Sequence, residues 1–408
     1  MQYNRNMEKM KTVIIGGGAS GLFLATALHT TERTVLLERN DRVGKKLSST
    51  GNGQGNITNL SASKTPYFSS SPFGKKLSGD IVKEADENGL KEAFQDLGVL
   101  LSADDRERVY PVSRQASALT DALRFAVSKR GVDVRLSSRV CDLKKVQNGF
   151  VLTVEHDGET YQIHTENVVL CAGGKAAKNF GTDGTAYEFA KGLGHTITAL
   201  YPSLVQLKTD VAYTKTLKGI RINDGGLTAY LPDGTQVALR GDIIFTDYGV
   251  SGDAVFRISS YITDKINAGV RLLIDFLPQF SKGEILEALQ RKRAAFPELP
   301  DGELLFGIVN NQVGRVVMKR VGGDLQQAAS LVKAFPLTVT GSLGFDYAQV
   351  TKGGISMTEV TEDLESRFVK GLYFAGEILD VDGPCGGFNL QWAYSSAMRV
   401  AKALNKKD

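Results

Sequence analysis

The feature that most constrains this chain lies between residues 11 and 59: a strand, a glycine-rich turn, a helix, a second strand and an acidic residue, in that order. Residues 12–15 are a short apolar run of strand length, rich in β-branched side chains. The run stops at Gly16-Gly17-Gly18-Ala19-Ser20-Gly21, which fits G-x-G-x-x-G. A helical pattern follows, with Leu22, Ala25, Thr26 and Leu28 on one face. A second apolar run, 34–37, ends in Glu38. The glycines have separate tasks. Gly16 turns the chain off the strand, Gly18 lets a pyrophosphate approach the backbone, and Gly21 lets helix and strand pack closely. The helix start offers free N–H groups and a partial positive charge to phosphates. Glu38, 22 residues after Gly16, stands where a carboxylate accepts hydrogen bonds from a ribose diol. This predicts a dinucleotide-binding unit and leaves FAD and NAD both open.

A chain of 408 residues has room for two or three domains. With 42% hydrophobic and 23% charged residues it has the balance of a globular protein. The net charge of +4 is mild and spread out, which gives no case for nucleic acid. Cys141, Cys171 and Cys385 are far apart, so neither a disulfide framework nor a zinc site is expected. The four histidines have no ligand spacing, and no metal is expected. The first ten residues are polar and lack the apolar stretch of a secretory signal, with Met7 or Met10 as internal start candidates. No apolar run is long enough to span a membrane. The expected location is the cytoplasm.

After Glu38 the chain runs through Lys45-Lys46 into a loop rich in glycine and asparagine, 48–59. A long loop inside a compact domain is usually functional. This one is expected to wrap an extended polar cofactor, with Lys45 or Lys46 near its phosphates. Residues 77–98 read as one helix and 117–130 as another, with Gly131 just past its end. Strands are expected at 132–136, 139–143, 150–155 and 161–164, the last two forming a hairpin through Asp157-Gly158. Together they suggest a small antiparallel insertion. A separate buried strand, 168–171, ends in Ala172-Gly173-Gly174 and returns to the main sheet. From His195, read as a surface strand residue, to Asp247, short alternating runs punctuated by turns at 223–226 and 232–234 suggest a β-rich region. Helices dominate 282–296, 301–320 and 324–334.

A second strong signal closes the chain. Residues 369–377 are a strand entering the Gly376-Glu377 corner, and 380–387 are a loop ending in Gly386-Gly387. Residues 388–404 are helical, with Leu390, Ala393, Ala397, Val400, Ala401 and Leu404 along one face. A glycine pair at a helix start presents bare N–H groups. Cys385 reads as a small buried thiol.

These stretches carry a resemblance to a known family. IIGGGASGL, GKKLSSTGNGQGNITN, GTDGTAYEFAKGLGHTIT with YPSLVQL, FTDYGVSGDAV and GLYFAGEILDVDGPCGGFNLQWAYSSA are similar to the BaiN/RdsA-like NAD(P)/FAD-dependent flavoproteins, over nearly the whole length. The resemblance implies an α/β fold with bound FAD. Its Rossmann-like FAD-binding domain would be built from both chain ends, 1–194 and 344–408. A β-barrel-like domain, 195–255 and 335–343, and a helical subdomain, 256–334, would be inserted. It further implies FAD contacts from Gly16, Gly18, Ala19, Ser20, Gly21, Glu38, Arg39, Lys46, Gly51, Asn52, Gly53, Asn56, Val140, Ala172, Gly173, Gly376, Glu377, Gly387, Phe388, Asn389 and Leu390. Many members carry Gly-Gly-Gly-Arg-Cys-Asn where this chain has Gly51-Asn52-Gly53-Gln54-Gly55-Asn56. Many also carry His and an aromatic residue at Asp247-Tyr248, and Pro at Asp253. The substrate of any one relative is therefore not carried over.

No second G-x-G-x-x-G is present to house a nicotinamide. The expectation is therefore an FAD-dependent oxidase of a small, aminoacetone-like amine. It would take electrons from substrate, pass them to O2, and give a carbonyl, ammonia and hydrogen peroxide. The alternatives are an NAD(P)H-dependent reductase of conjugated enones, or a non-catalytic FAD-binding protein of RNA modification or assembly. No catalytic base is evident; Asp247, Tyr248, Trp392 and Tyr394 are the candidates. The expected partners are a small molecule and O2, without nucleic acid or membrane.

Overall fold

A computed structural model describes residues 8–407; the start candidate Met7 lies outside them. The chain divides into two units, one formed by 1–201 and 350–408 and the other by 202–349.

The first unit is built on a parallel β–α–β start. Strand β1 is Glu8–Ile15, helix α1 is Ala19–Ala27, and strand β2 is Thr34–Leu37. β1 pairs in parallel with β2 on one side and with strand Glu159–Leu170 on the other. Asp133–Arg135 extends the sheet beyond β2, and Leu372–Phe374 pairs in parallel with Glu159–Leu170. Ile15 is in register with Leu37 and with Leu170, and Leu170 with Phe374. Four parallel strands therefore end at one level. The residues that follow those ends are Gly16, Glu38, Cys171 and Ala375. In an open α/β sheet this carboxyl edge is where ligands bind. Val13, Ile14, Val35, Leu36, Val168 and Val169 are wholly buried, as strands covered on both faces must be. α1 and the terminal helix Phe388–Asn405 belong to the same apolar core.

Several sequence expectations change in this unit. The helix expected over 77–98 is two helices, Pro72–Glu84 and Glu87–Gln95. Asp86 separates them, because its carboxylate accepts the amides of Asn88 and Gly89 and starts a new helix. The strands expected at 161–164 and 168–171 are one 12-residue strand, Glu159–Leu170. Its ladder with β1 runs on through Thr165 and Asn167, while the antiparallel ladder on its other side reaches Thr165. The antiparallel strands Ser138–Val146 and Gly149–His156 consequently join the main sheet and are not a separate insertion. The hairpin at Asp157-Gly158 forms as expected, both residues having positive φ.

The second unit centres on a closed six-stranded barrel, in the order Leu207–Thr209, Gly249–Ser251, Gln236–Phe245, Arg221–Tyr230, Val270–Asp275, Phe335–Ser342. Phe245, Phe276 and Phe335 meet in its core. Helices Lys282–Ala295, Asn311–Val321 and Leu325–Lys333 lie in the stretch read as helical, which also contains the barrel strand Val270–Asp275. The turn expected at 223–226 is a bulge inside Arg221–Tyr230, where Asp224 takes a positive φ.

Candidate functional site

The site grows from the carboxyl edge of the parallel sheet. Gly16 has φ +108°, and a side chain there would press on the backbone of Cys171 and Ala172, 2.7 and 2.8 Å away. Gly16 thus holds the β1 and Glu159–Leu170 ends together. A Cβ on Gly21 would collide with the Gly16 carbonyl, so Gly21 sets the close packing of α1 on the turn. Gly18 differs: among the described residues, a Cβ there would meet nothing within 4 Å. Its lack of a side chain serves no packing in the protein, as expected where a ligand approaches the backbone. Gly18 is the N-cap of α1, and no side chain caps that helix. The nearby helices Pro72–Glu84 and Glu87–Gln95 are capped by Ser71 and Asp86. Ala19 and Ser20 belong to the uncapped first turn.

Glu38 is buried at the end of β2. Its Oε2 accepts the Gly17 amide at 2.8 Å, and its Oε1 accepts the Asn40 amide at 2.8 Å and the Asn40 side chain at 2.7 Å. Arg39 turns outward and pairs with Asp183 at 2.8 Å. Burial works to raise the Asp183 pKa, but the Thr185 hydroxyl and amide and the Arg39 guanidinium prevail and hold it at about 2.

The loop after β2 returns to the same edge. The Gly44 amide donates to the Gly17 carbonyl, and Lys46 Nζ lies 2.6 Å from Glu377 Oε2. Gly51, Asn52, Gly53 and Gly55 all have positive φ, and 51–54 are exposed. A Cβ on Gly53 would again meet open space. The Asn56 side chain is buried, with Nδ2 donating to the Thr58 and Val109 carbonyls at 3.0 Å. It fixes the end of the loop. Val140, on Ser138–Val146, is buried, and the Ser138 amide donates to the Glu38 carbonyl. Ala172 and Gly173 follow Leu170 and are half-buried.

The Gly376-Glu377 corner is braced from within the chain. The Gly376 amide donates to Ser396 Oγ at 2.9 Å, and the Gly376 carbonyl accepts Trp392 Nε1 at 3.1 Å. Trp392 is 1% exposed, so its indole serves as a strut for the corner. Tyr394 packs edge-on against Phe23 and lines a surface groove with Glu84, Arg399 and Lys402. Gly387, φ +102°, starts the terminal helix without a side-chain cap and leaves no room for a Cβ beside Thr58. Phe388 and Leu390 are buried, and Asn389 clamps the preceding loop by bonding both the amide and the carbonyl of Gly383 at 2.8 Å.

The structure thus gathers Gly16 to Gly21, Glu38, Lys46, Ala172 and Gly376-Glu377 at one edge. Asp247 and Tyr248 lie in the second unit, between Gln236–Phe245 and Gly249–Ser251. Asp247 is exposed and paired with Lys218 at 2.7 Å, which lowers its pKa. Two smaller expectations are corrected. His195 is buried, not a surface residue: its Nε2 is 2.8 Å from Ser366 Oγ and its ring lies against Phe368 and Phe374. Cys385 is half-buried rather than enclosed.

Comparison with known proteins decides the family. The model of the HI0933-like protein Rossmann domain matches residues 10–403. The chain belongs to the HI0933-like family. A 3-dehydro-bile acid delta(4,6)-reductase of Clostridium scindens is 33% identical, over 97% of this chain and 98% of its own. A ribosomal RNA dihydrouridine synthase of Escherichia coli is 29% identical, over 98% of each. Among solved structures, the fold is similar to a flavocytochrome c3 fumarate reductase, with TM-score 0.50 and 15% identity, over 97% of this chain and 78% of the other. It is also similar to 3-ketosteroid delta1-dehydrogenase of Sterolibacterium denitrificans, with TM-score 0.50 and 13% identity, over 98% of this chain and 100% of the other. The fold is a Rossmann-type FAD-binding α/β fold with a closed barrel, and the protein is an FAD-dependent oxidoreductase. The cradle fits that cofactor: open space over Gly18, uncapped amides on α1, and Glu38 at the end of β2. Among the described residues, no helix is long and apolar enough to cross a membrane.

Proposed function

We propose that this chain is an FAD-dependent reductase that saturates a carbon–carbon double bond conjugated to a carbonyl. The observation that carries the reading is the pair of full-length relatives. One is named for reducing double bonds of a 3-oxo steroid acid, the other for saturating the uracil ring. The substrates differ greatly, but in each the double bond is conjugated to a carbonyl. When bound, FAD supplies the hydride chemistry. The protein's part is to hold and orient. The α1 start and the Gly16-to-Gly21 turn hold the pyrophosphate, and Glu38 takes the adenosine ribose. Lys46 and Glu377, paired at the same edge, would hold the cofactor's polar middle. The amides of Phe388 to Leu390 favour negative charge on the ring. Gly51, Asn52, Gly53, Val140, Ala172 and Gly173 complete the lining, while Arg39 and Asn56, bonded to Asp183 and to the Thr58 and Val109 carbonyls, hold the surrounding loops.

Oxidation of a small amine by O2 is the second reading. It is favoured by the second unit being a closed barrel, without a second parallel nucleotide sheet. One experiment separates the two. Holoprotein reduced with dithionite under nitrogen is mixed with a 3-oxo-Δ4 steroid or with a uridine-containing RNA. Return of the oxidised flavin spectrum, with a product two mass units heavier, supports the reductase. Oxidised holoprotein that is bleached by aminoacetone, restored by air with hydrogen peroxide, and inert in reduced form toward every conjugated carbonyl overturns it.

A further inference from the structure

We propose that Asn40 is a positioning residue for the cofactor: its side chain holds the Glu38 carboxylate in the orientation that receives the adenosine ribose. The proposal rests on the assignment of Glu38 to that ribose, made above.

Asn40 lies just past the end of β2 and is half-buried. Its Nδ2 donates to Glu38 Oε1 at 2.7 Å and to the Phe180 carbonyl at 3.3 Å. A carboxylate and a carbonyl both accept, so the side-chain amide has one workable orientation, with its nitrogen toward Glu38. The Asn40 backbone amide donates to the same Oε1 at 2.8 Å, and the Gly17 amide holds Oε2 at 2.8 Å. A glutamate side chain is long and flexible, and a carboxylate tied at both oxygens loses that freedom before the ligand arrives. Such preorganisation lowers the cost of binding. Bonds to a charged acceptor are also the strong ones.

The surrounding chain is shaped to this side chain. Gly181 has φ +93°, and a Cβ on it would lie 2.5 Å from Asn40 Nδ2 and 2.9 Å from Oδ1. The Ser137 amide donates to the Asn40 carbonyl at 2.8 Å. The end of β2 and the turns at 136–138 and 177–181 therefore meet on Asn40. Arg39, between the two residues, turns away to Asp183. None of the family-derived contacts named above includes Asn40.

The test is FAD titration of apo-protein at pH 8 and pH 5.5, below the apo Tm of every variant. Asn40→Asp sets a second carboxylate about where Nδ2 now lies, 2.7 Å from Oε1. At pH 8 the like charges should turn Glu38 aside and weaken FAD binding roughly tenfold, the scale of one lost hydrogen bond. At pH 5.5 the two carboxyl groups share a proton, a donor to Oε1 returns, and the loss relative to wild type should shrink to about threefold or less. The nearby Arg39–Asp183 pair is common to both proteins and stays charged across this range, Asp183 being held at about 2. Asn40→Ala should weaken binding on its own and add little to Glu38→Ala, because it acts through Glu38. Wild-type affinity of Asn40→Asp at pH 8, a loss of equal size at both pH values, or an Asn40→Ala loss of equal size with and without Glu38 would make Asn40 a purely structural residue and overturn the proposal. Wild-type affinity of Glu38→Ala would instead remove the ribose assignment, and this proposal with it.

Discussion

The Gly17 amide donates to Glu38 Oε2 at 2.8 Å, which ties the glycine turn after β1 to the acidic residue that ends β2. Glu38 Oε1 takes two further bonds from Asn40. A carboxylate has about four acceptor sites, so three are occupied by the chain and one is left for a ribose hydroxyl. Glu38 is therefore the clasp that shapes the turn, with acceptor capacity to spare for the ribose contact proposed above. Glu38→Ala should weaken FAD binding by about 1.5–3 kcal/mol. It should also lower the apo Tm, because the Gly17 and Asn40 donors lose their acceptor. Titration and thermal melts of the apo-protein check both; unchanged affinity would remove the ribose role.

His195 gives a pH prediction. Burial depresses its pKa, and Glu359, 3.4 Å from Nδ1, opposes that. Ser366, Phe368 and Phe374 complete its surroundings. Because the folded value lies below the unfolded one, near 6.5, folding favours the neutral ring. That contribution is present above about pH 6.5 and is lost as the pH falls. Melts from pH 7 to pH 5 should show a falling Tm, with a shallower fall in His195→Gln. Equal slopes in the two proteins would exclude His195 as the source.

Asp183 acts in a lower window. Its carboxyl is held at about 2 while the unfolded value is near 4. Its stabilisation is complete above about pH 4 and disappears as the pH falls toward 2. Asp183→Asn should be less stable than wild type at neutral pH and should converge with it in acid. A stability gap that persists at pH 2 would mean that packing, not charge, explains the loss.

The cradle was legible because its demands are local. A strand that must turn at once and a helix that must pack tightly each need glycine at one position, and Gly16 and Gly21 meet those needs. β1 and β2 were legible because buried parallel strands read as unbroken apolar runs. Long-range pairing hid the rest. Thr165 to Asn167 look like a loop until their pairing with β1 is known. Asp224 and Gly225 look like a turn until the neighbouring barrel strands fix them as a bulge. His195 is polar in sequence and becomes buried because residues 359–374 fold over it.

Gly16 and Gly18 should separate folding from binding within one motif. Ala at position 16 meets both a positive φ and the Cys171 and Ala172 backbone. Backbone strain and overpacking each contribute about 1–3 kcal/mol, so Gly16→Ala should lose about 2–6 kcal/mol of apo stability in urea. Gly18 has φ −79° and ψ −168°, which suit alanine, and a Cβ there enters open space. Gly18→Ala should therefore change apo stability by less than about 1 kcal/mol, the cost of a poorer N-cap. If the pyrophosphate rests on this backbone, the methyl group should weaken FAD binding by about 1–3 kcal/mol. Apo-protein unfolding and FAD titration of both variants check this. A Gly18→Ala protein that binds FAD as wild type does would place the pyrophosphate away from α1.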